Sequence, residues 1–231
     1  MVKVKSAARK SRAKNVAEFD HPKKRRPFEV FLIVDNSVER SDLAKALATT
    51  GIPVREYMTA REFRLDYREN TPGVVVAEYR LRDMLATRLK TDLEASEIEV
   101  PFVLLISPAD SSDGIKAMRY QGADFVVKST ADHKLPMAVR RAYSHWYDTD
   151  WEYVAIDLDF VDECMLRLTD REHEVLKLMS NGHSSREIGR KLKVSVKTVE
   201  AHRSRISDKL RADDLADLCR MICALHEDAD S

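Results

Sequence analysis

LTDREHEVLKLMSNGHSSREIGRKLKVSVKTVEAHRSRISDKL, residues 168–210, carries start and stop signals for three helices in close succession. Thr169 followed by Glu172 is a capping box, which opens a helix by satisfying two orphan backbone donors reciprocally. Val175, Leu176 and Met179 give that helix an apolar stripe at helical spacing, and Asn181-Gly182 stops it. Ser184 or Ser185 can cap a second helix, with Ile188 and Leu192 facing inward. The turn Lys193-Val194-Ser195 then leads to a third helix capped by Ser195. Two short helices joined by so tight a turn form a helix-turn-helix, whose second member enters the DNA major groove.

The third helix sorts its faces accordingly. At about 100° per residue, Val199, His202, Ile206 and Leu210 fall on a side that can pack against the preceding helices. Lys197, Ala201, Ser204 and Asp208 fall opposite, with Glu200 and Arg205 on the shoulders. Small and polar side chains there let the backbone approach base edges. Glu200 suits a cytosine amino group, Ser204 several bases, and Ala201 a thymine methyl. Lys197, Arg203, Arg205 and Lys209 suit phosphates, with Thr198 and His202 as uncharged donors. Such contacts set affinity and register without reading sequence.

LT-x-RE-x-EVL at the start and TVE-x-HR with KL at the end resemble the LuxR/NarL/FixJ-type DNA-binding domain, closest to the FixJ branch, over about 60 residues. The resemblance implies a four-helix domain with its recognition helix from about Val196 to Leu210. It implies base contact at Glu200, Ala201 and Ser204. It further implies a fourth helix, Asp213 to His226, that pairs two copies on DNA. There Leu215, Leu218, Ile222 and Leu225 recur at helical spacing; a role in the domain's own core is the alternative. Gly189 stands where the family usually has Ala, and a helical glycine costs about 0.5–1 kcal/mol.

With 39 Lys and Arg against 39 Asp and Glu, the chain of 231 residues is formally neutral, so local sign decides its partners. Residues 1–27 hold ten Lys and Arg against Glu18 and Asp20. Low hydrophobicity and repelling charge predict a disordered tail, either a solvated leader or a basic arm on phosphates or in a minor groove. No apolar run approaches a membrane span, and no apolar core follows the basic start as a secretion signal requires. Cys164, Cys219 and Cys223 lack ligand-like companions and read as free thiols. No metal or other cofactor is expected, and the composition suits a bacterial cytoplasm.

From Phe28 onward strand and helix alternate. The apolar runs Phe31–Val34, Val74–Ala77, Val103–Ile106 and Phe125–Val127 read as strands buried on both faces, with another at Val54 to Tyr57. Leu43 and Leu47 face inward on a helix ended by Gly51. Five βα units predict an open, doubly wound, flavodoxin-like parallel sheet, with any site beyond the strands' carboxyl ends. Asp35, Asn36, Glu78, Ser107 and Lys128 arrive there.

That constellation, over residues 28–143, resembles the receiver domain of two-component response regulators. In that family an acidic pair after the first strand holds Mg²⁺, an Asp after the third accepts a phosphoryl group, and a Ser or Thr and a Lys bind its oxygens. Asp35 matches the first acid, Ser107 the hydroxyl, Lys128 the lysine, and Phe125 the switching aromatic. The departures are Asn36 for an acid, Glu78 for the acceptor Asp, and Arg82 and Ser129 where prolines usually shape the loops. An extra methylene carries the Glu78 carboxylate about 1–1.5 Å deeper, and in-line transfer tolerates little misplacement. With a cation ligand also lost, phosphorylation is not expected. Glu78 is expected to reach toward Ser107 and Lys128 as a partial phosphoryl mimic, biasing the domain to an active-like, dimer-competent state. The competing reading is a relic pocket on a docking block.

Residues 144–165 form an aromatic, acidic linker. Trp146, Tyr147, Trp151 and Tyr153 either dock the two domains or extend the last receiver helix. Residues 166–231 form the helix-turn-helix domain. The chain as a whole reads as a DNA-binding transcription regulator, a homodimer on double-stranded DNA, with an unknown protein partner at the receiver, and not an enzyme. The alternative is an adaptor whose receiver binds a protein or small molecule and whose helix-turn-helix makes protein contacts.

Overall fold

The computed structural model describes residues 28–68, 71–121, 123–147, 158–214 and 216–221. The basic tail 1–27, Trp151, Tyr153, Leu215, Ile222, Cys223 and Leu225 lie outside the described residues.

The strand runs become a five-stranded parallel sheet: β1 (Glu29–Ile33), β2 (Val54–Tyr57), β3 (Gly73–Glu78), β4 (Phe102–Ile106) and β5 (Asp124–Val127), in the order β2-β1-β3-β4-β5. The helices between and after them are α1 (Ser37–Ala48), α2 (Ala60–Asp66), α3 (Ala86–Glu94), α4 (Ser111–Gln121) and α5 (Ala131–Tyr147). Successive strand residues point to opposite faces, so each strand feeds two cores. Phe31, Ile33, Val75, Leu104 and Phe125 share one layer with Phe63 of α2 and Leu89 of α3. Val30, Leu32, Val76, Leu105 and Val126 share the other with Leu47 of α1 and Leu135 of α5. Continuous apolar runs follow because both faces of the sheet are covered.

The described ends of the 144–165 stretch, 144–147 and 158–165, go to different domains. Helix α5 continues to Tyr147, whose ring lies 4.6 Å from that of Tyr143, itself stacked on Phe28 at 3.8 Å. The Gly73 N–H donates to the Tyr147 hydroxyl at 3.4 Å. Tyr147 therefore belongs to the receiver, and Trp146 is exposed. Helix α6 (Leu158–Met165) sits on the other side of the boundary, with Cys164 packed into the core of the helical domain. Cys164 and Cys219 are both buried.

Helices α7 (Asp170–Ser180), α8 (Ser185–Leu192) and α9 (Val196–Leu210) form where their caps foretell. Thr169–Glu172 and Ser184–Glu187 are both complete capping boxes, and Ser195 accepts from the Thr198 N–H. Val175, Leu176, Met179, Ile188, Val199, Ile206 and Leu210 meet in one core. Residues 216–221 are also helical.

Gly189 has a positive reason to be glycine. The Val194 N–H donates to its carbonyl at 3.0 Å, and a Cβ at 189 would meet the Val194 carbonyl oxygen at 2.8 Å. The backbone of the turn occupies the space a side chain needs. Gly189→Ala is therefore expected to lose about 1 kcal/mol through steric strain, despite the helix propensity of Ala. Chemical denaturation checks this; a gain in stability would show that the turn relaxes freely.

Candidate functional site: an open reading helix and a closed pocket

Helix α9 buries Val199, Ile206 and Leu210 and leaves Lys197, Thr198, Glu200, Ala201, Ser204 and Arg205 exposed. The three base-reading candidates thus share one open surface. Lys197 and Arg205 flank it and have no ion-pair partner among the described residues. The Thr198 hydroxyl lies 2.8 Å from that of its cap, Ser195. His202 is half-buried, with Nδ1 lacking a hydrogen-bond partner.

Two cations expected on phosphates are instead tied inside the domain. Arg203 Nη1 donates to Ser185 Oγ at 3.0 Å, its Nε lies 3.9 Å from Glu200, and its side chain is only 18% exposed. Four residues after the buried Val199, it projects only about 40° away from the core direction, so it braces α9 against the start of α8. Lys209 Nζ lies 2.6 Å from Glu172 Oε2, a buried carboxylate in the first turn of α7. Hydrogen bonds from Lys209 and from the Thr169 N–H hold the Glu172 carboxyl at about 2. Neither brace has a local signal, because 18 and 37 residues separate the partners.

Of the pairing candidates, Leu218 is turned into its own domain's core; the other three lie outside the described residues. Ala216 and Cys219, on the same helix, pack among receiver residues.

The receiver pocket is closed by its own charges. Glu78 ends β3 with 5% of its surface exposed and forms an ion pair with Lys128. Lys128 also meets Glu39 at 3.0 Å. The Asp35 N–H faces Glu78 Oε2 at 3.4 Å. Burial pushes the Glu78 carboxyl up, against the pull of Lys128. Burial draws the Lys128 ammonium down, but Glu78 and Glu39 outweigh it and hold it above its ordinary range.

Asn36 has a different task from the acid it replaces. Its Oδ1 accepts from the Val38 and Glu39 N–H groups, each at 3.0 Å, as the N-cap of α1. The residues present do not fit a magnesium ion: one oxygen caps a helix, and an ammonium occupies the Glu78 carboxylate that would face the cation.

The expectation that Glu78 also reaches toward Ser107 is corrected. Ser107 Oγ–H donates to Asp110 Oδ2 at 2.6 Å, and Arg80 holds the other Asp110 oxygen at 2.8 and 2.9 Å. A carboxylate three residues along, pinned by arginine, is a nearer acceptor than Glu78. Phe125 is fully buried, its ring in ordinary contact with the Gly114 position, whose open space is taken by Ile106 Cδ1.

A parallel receiver-type sheet followed by a helix-turn-helix with an exposed polar face on its second helix defines a response-regulator-like protein with a DNA-binding output domain. Residues 166–222 match the family described as bacterial regulatory proteins, luxR family. The chain is 28% identical to the transcriptional regulatory protein FixJ of Rhizobium meliloti, over 85% of this chain and 96% of that protein. It is likewise 28% identical to the transcriptional regulatory protein TdiR of Thauera aromatica, over 84% of each. Among solved structures it is similar to the response regulator StyR, with 25% identity and a TM-score of 0.48, over 85% of this chain and 98% of that one. No helix among the described residues is long and apolar enough to cross a membrane.

Proposed function

We propose that this chain is a transcription regulator that reads double-stranded DNA through α9, as a homodimer, with a receiver that takes no phosphoryl group. The observation that carries it is the open surface of Lys197, Glu200, Ala201, Ser204 and Arg205 on a helix whose opposite face is locked into a core. Two copies would address half-sites about one helical turn, roughly 10 bp, apart. Glu200 and Ser204 read base edges, while Lys197 and Arg205 supply the salt-dependent attraction to phosphates. In the receiver, Lys128 is already paired with carboxylates, so the pocket sits in one electrostatic state and partner contacts replace phosphorylation as its input.

Duplexes selected from a random pool test this. Affinity should fall steeply with salt. Arg205→Ala should weaken all sequences alike and lower the salt slope by about one charge, whereas Glu200→Ala should relax preference at one base pair by about 1–3 kcal/mol. Binding insensitive to salt, or equal effects from the two variants, would sink the assignment. Arg203→Ala should behave as neither, because its loss frees α9 from α8 and erodes affinity and preference together.

A further inference from the structure

One cluster of titratable side chains belongs to neither the exposed face of α9 nor the receiver pocket. At Gly182, φ 71°, the chain turns out of α7. The Gly182 N–H donates to the Met179 carbonyl at 2.8 Å and the His183 N–H to the Leu178 carbonyl at 3.1 Å, a double closure that fixes His183. The Ser184–Glu187 capping box then starts α8 at once. His183, Glu187 and Lys191 follow one another at intervals of four and share one side of the helix. Lys191 Nζ lies 2.9 Å from His183 Nε2. With Arg190 these three residues line an open depression of about 340 Å³, the size of a small-ligand site.

An ammonium group has three donors and no acceptor, so Lys191 shares a proton with the imidazole lone pair. Elsewhere the chain gives such cations carboxylates, as at Arg80, Lys128 and Lys134. Neither Arg190 nor Lys191 has one among the described residues. Glu187 is already committed: its Oε2 accepts from the Ser184 N–H and the Ser184 hydroxyl, each at 2.8 Å. Those bonds hold its carboxyl below the ordinary range, and the nearby His183 adds to the hold. An amine, a base within hydrogen-bond reach and a carboxylate beside the base are the parts needed to condense an amine with a carbonyl. The unpaired guanidinium next to them suits an anionic group on the same ligand.

We propose that Lys191 is a reversible covalent site for a small anionic carbonyl compound, an aldehyde that carries a phosphate or a carboxylate. Lys191 forms the imine, His183 moves the proton, and Arg190 holds the anion. His183 takes one proton from the ammonium, and the freed nitrogen attacks the carbonyl carbon. A second proton passes from that nitrogen to the former carbonyl oxygen, and His183 returns the first. Water leaves with both protons, the C=O bond has become C=N, and nothing is oxidised or reduced. Glu187 stabilises the imidazolium in between. The bound ligand brings negative charge to α8, beside the reading helix, and so weakens attraction to DNA phosphates. Only that consequence rests on the function proposed above.

Pyridoxal 5′-phosphate, an aldehyde that carries a phosphate, is the probe. The full-length chain is incubated with it in the absence of DNA, the imine is reduced with borohydride, and peptide mass spectrometry locates the label. Lys191 should be labelled about tenfold faster than the exposed Lys193 and Lys197. His183→Gln should remove that advantage and leave Lys193 and Lys197 at their wild-type rates. Arg190→Ala should raise the half-saturating concentration of pyridoxal 5′-phosphate about tenfold, while that of pyridoxal, which lacks the phosphate, stays unchanged. Neither side chain enters the core of the helical domain, and a variant that loosened the fold would betray itself by moving all three lysines together. Even labelling of the exposed lysines, or wild-type labelling of Lys191 in His183→Gln, overturns the site. Equal weakening of both aldehydes in Arg190→Ala overturns the anionic class of ligand. A failure of DNA reading leaves every one of these rates unchanged, so the two failures are told apart.

Discussion

Glu172→Gln should cost about 3 kcal/mol at neutral pH, and the loss should fade as the solution is acidified. The carboxyl falls from 4.5 to about 2 in the folded chain, held first by Lys209 and then by the Thr169 N–H. Glu172 is only 2% exposed, so solvent screens these contacts little. Each pKa unit corresponds to about 1.4 kcal/mol of preference for the ionised form. The sign follows from linkage: a depressed carboxyl contributes stability that is fully present above its unfolded value near 4.5 and is lost as pH falls toward about 2. The stability gap between wild type and Glu172→Gln, measured by chemical denaturation, should be widest at pH 6–7 and narrow below about pH 4.5. A gap that stays constant with pH would mean that shape, and not charge, sets the contribution. Lys209→Met should reproduce much of the same acid dependence, because it removes the same pair from the other end. Function is coupled to this stability: the pair spans α7 and α9, so its loss loosens the helix that carries Glu200 and Ser204.

The second large effect is a gain of chemistry. Treated with a small acyl phosphate and magnesium, the wild-type chain should keep its mass. Glu78 carries its carboxylate too deep, and Lys128 already occupies it. Restoring the acceptor alone, Glu78→Asp, should raise the labelling rate by about a hundredfold, the usual consequence of correcting a misplacement of about 1 Å. Asn36→Asp added to it should raise labelling further by supplying a second carboxylate for the cation. That change is mild structurally, since Asp caps a helix as well as Asn does. Intact mass spectrometry reads each step. Phosphorylation of wild type on Glu78 or Asp35, or no labelling of the double variant, would show that something other than these two positions decides the pocket's chemistry.

Much of the molecule was legible in the chain because its signals are local. Thr169–Glu172 is a capping box in sequence and in space, and the α9 boundaries at Val196 and Leu210 follow from Ser195 and the apolar spacing. The strand ends delivered Asp35, Glu78 and Lys128 to one crevice for the same reason: a parallel sheet puts every carboxyl end on one edge. The exposed face of α9 was legible too, since helical periodicity alone separates Glu200, Ala201 and Ser204 from Val199 and Ile206. Charge alone suggested solvent for Arg203 and Lys209, whereas angle and a distant partner give each a contact inside the domain. Ser107 differs: its acceptor is local, Asp110 three residues along in sequence. Residues 144–165 looked like one linker because their composition is uniform, yet Tyr147 found Gly73 and Cys164 found the helical core.

By itself the amino-acid order determined the elements, their caps and the outward chemistry of α9, which depend on contacts a few residues apart, and the strand–helix alternation from which the parallel sheet was expected. Only the tertiary structure decided which charges are free and which are braced, that Gly189 makes room for a turn, and that the helix at 216–221 lies on the receiver. Those outcomes turn on pairings between positions up to 96 residues apart, as between Asp124 and Arg220, where distance in space and burial, rather than residue type, set the energy of a charge.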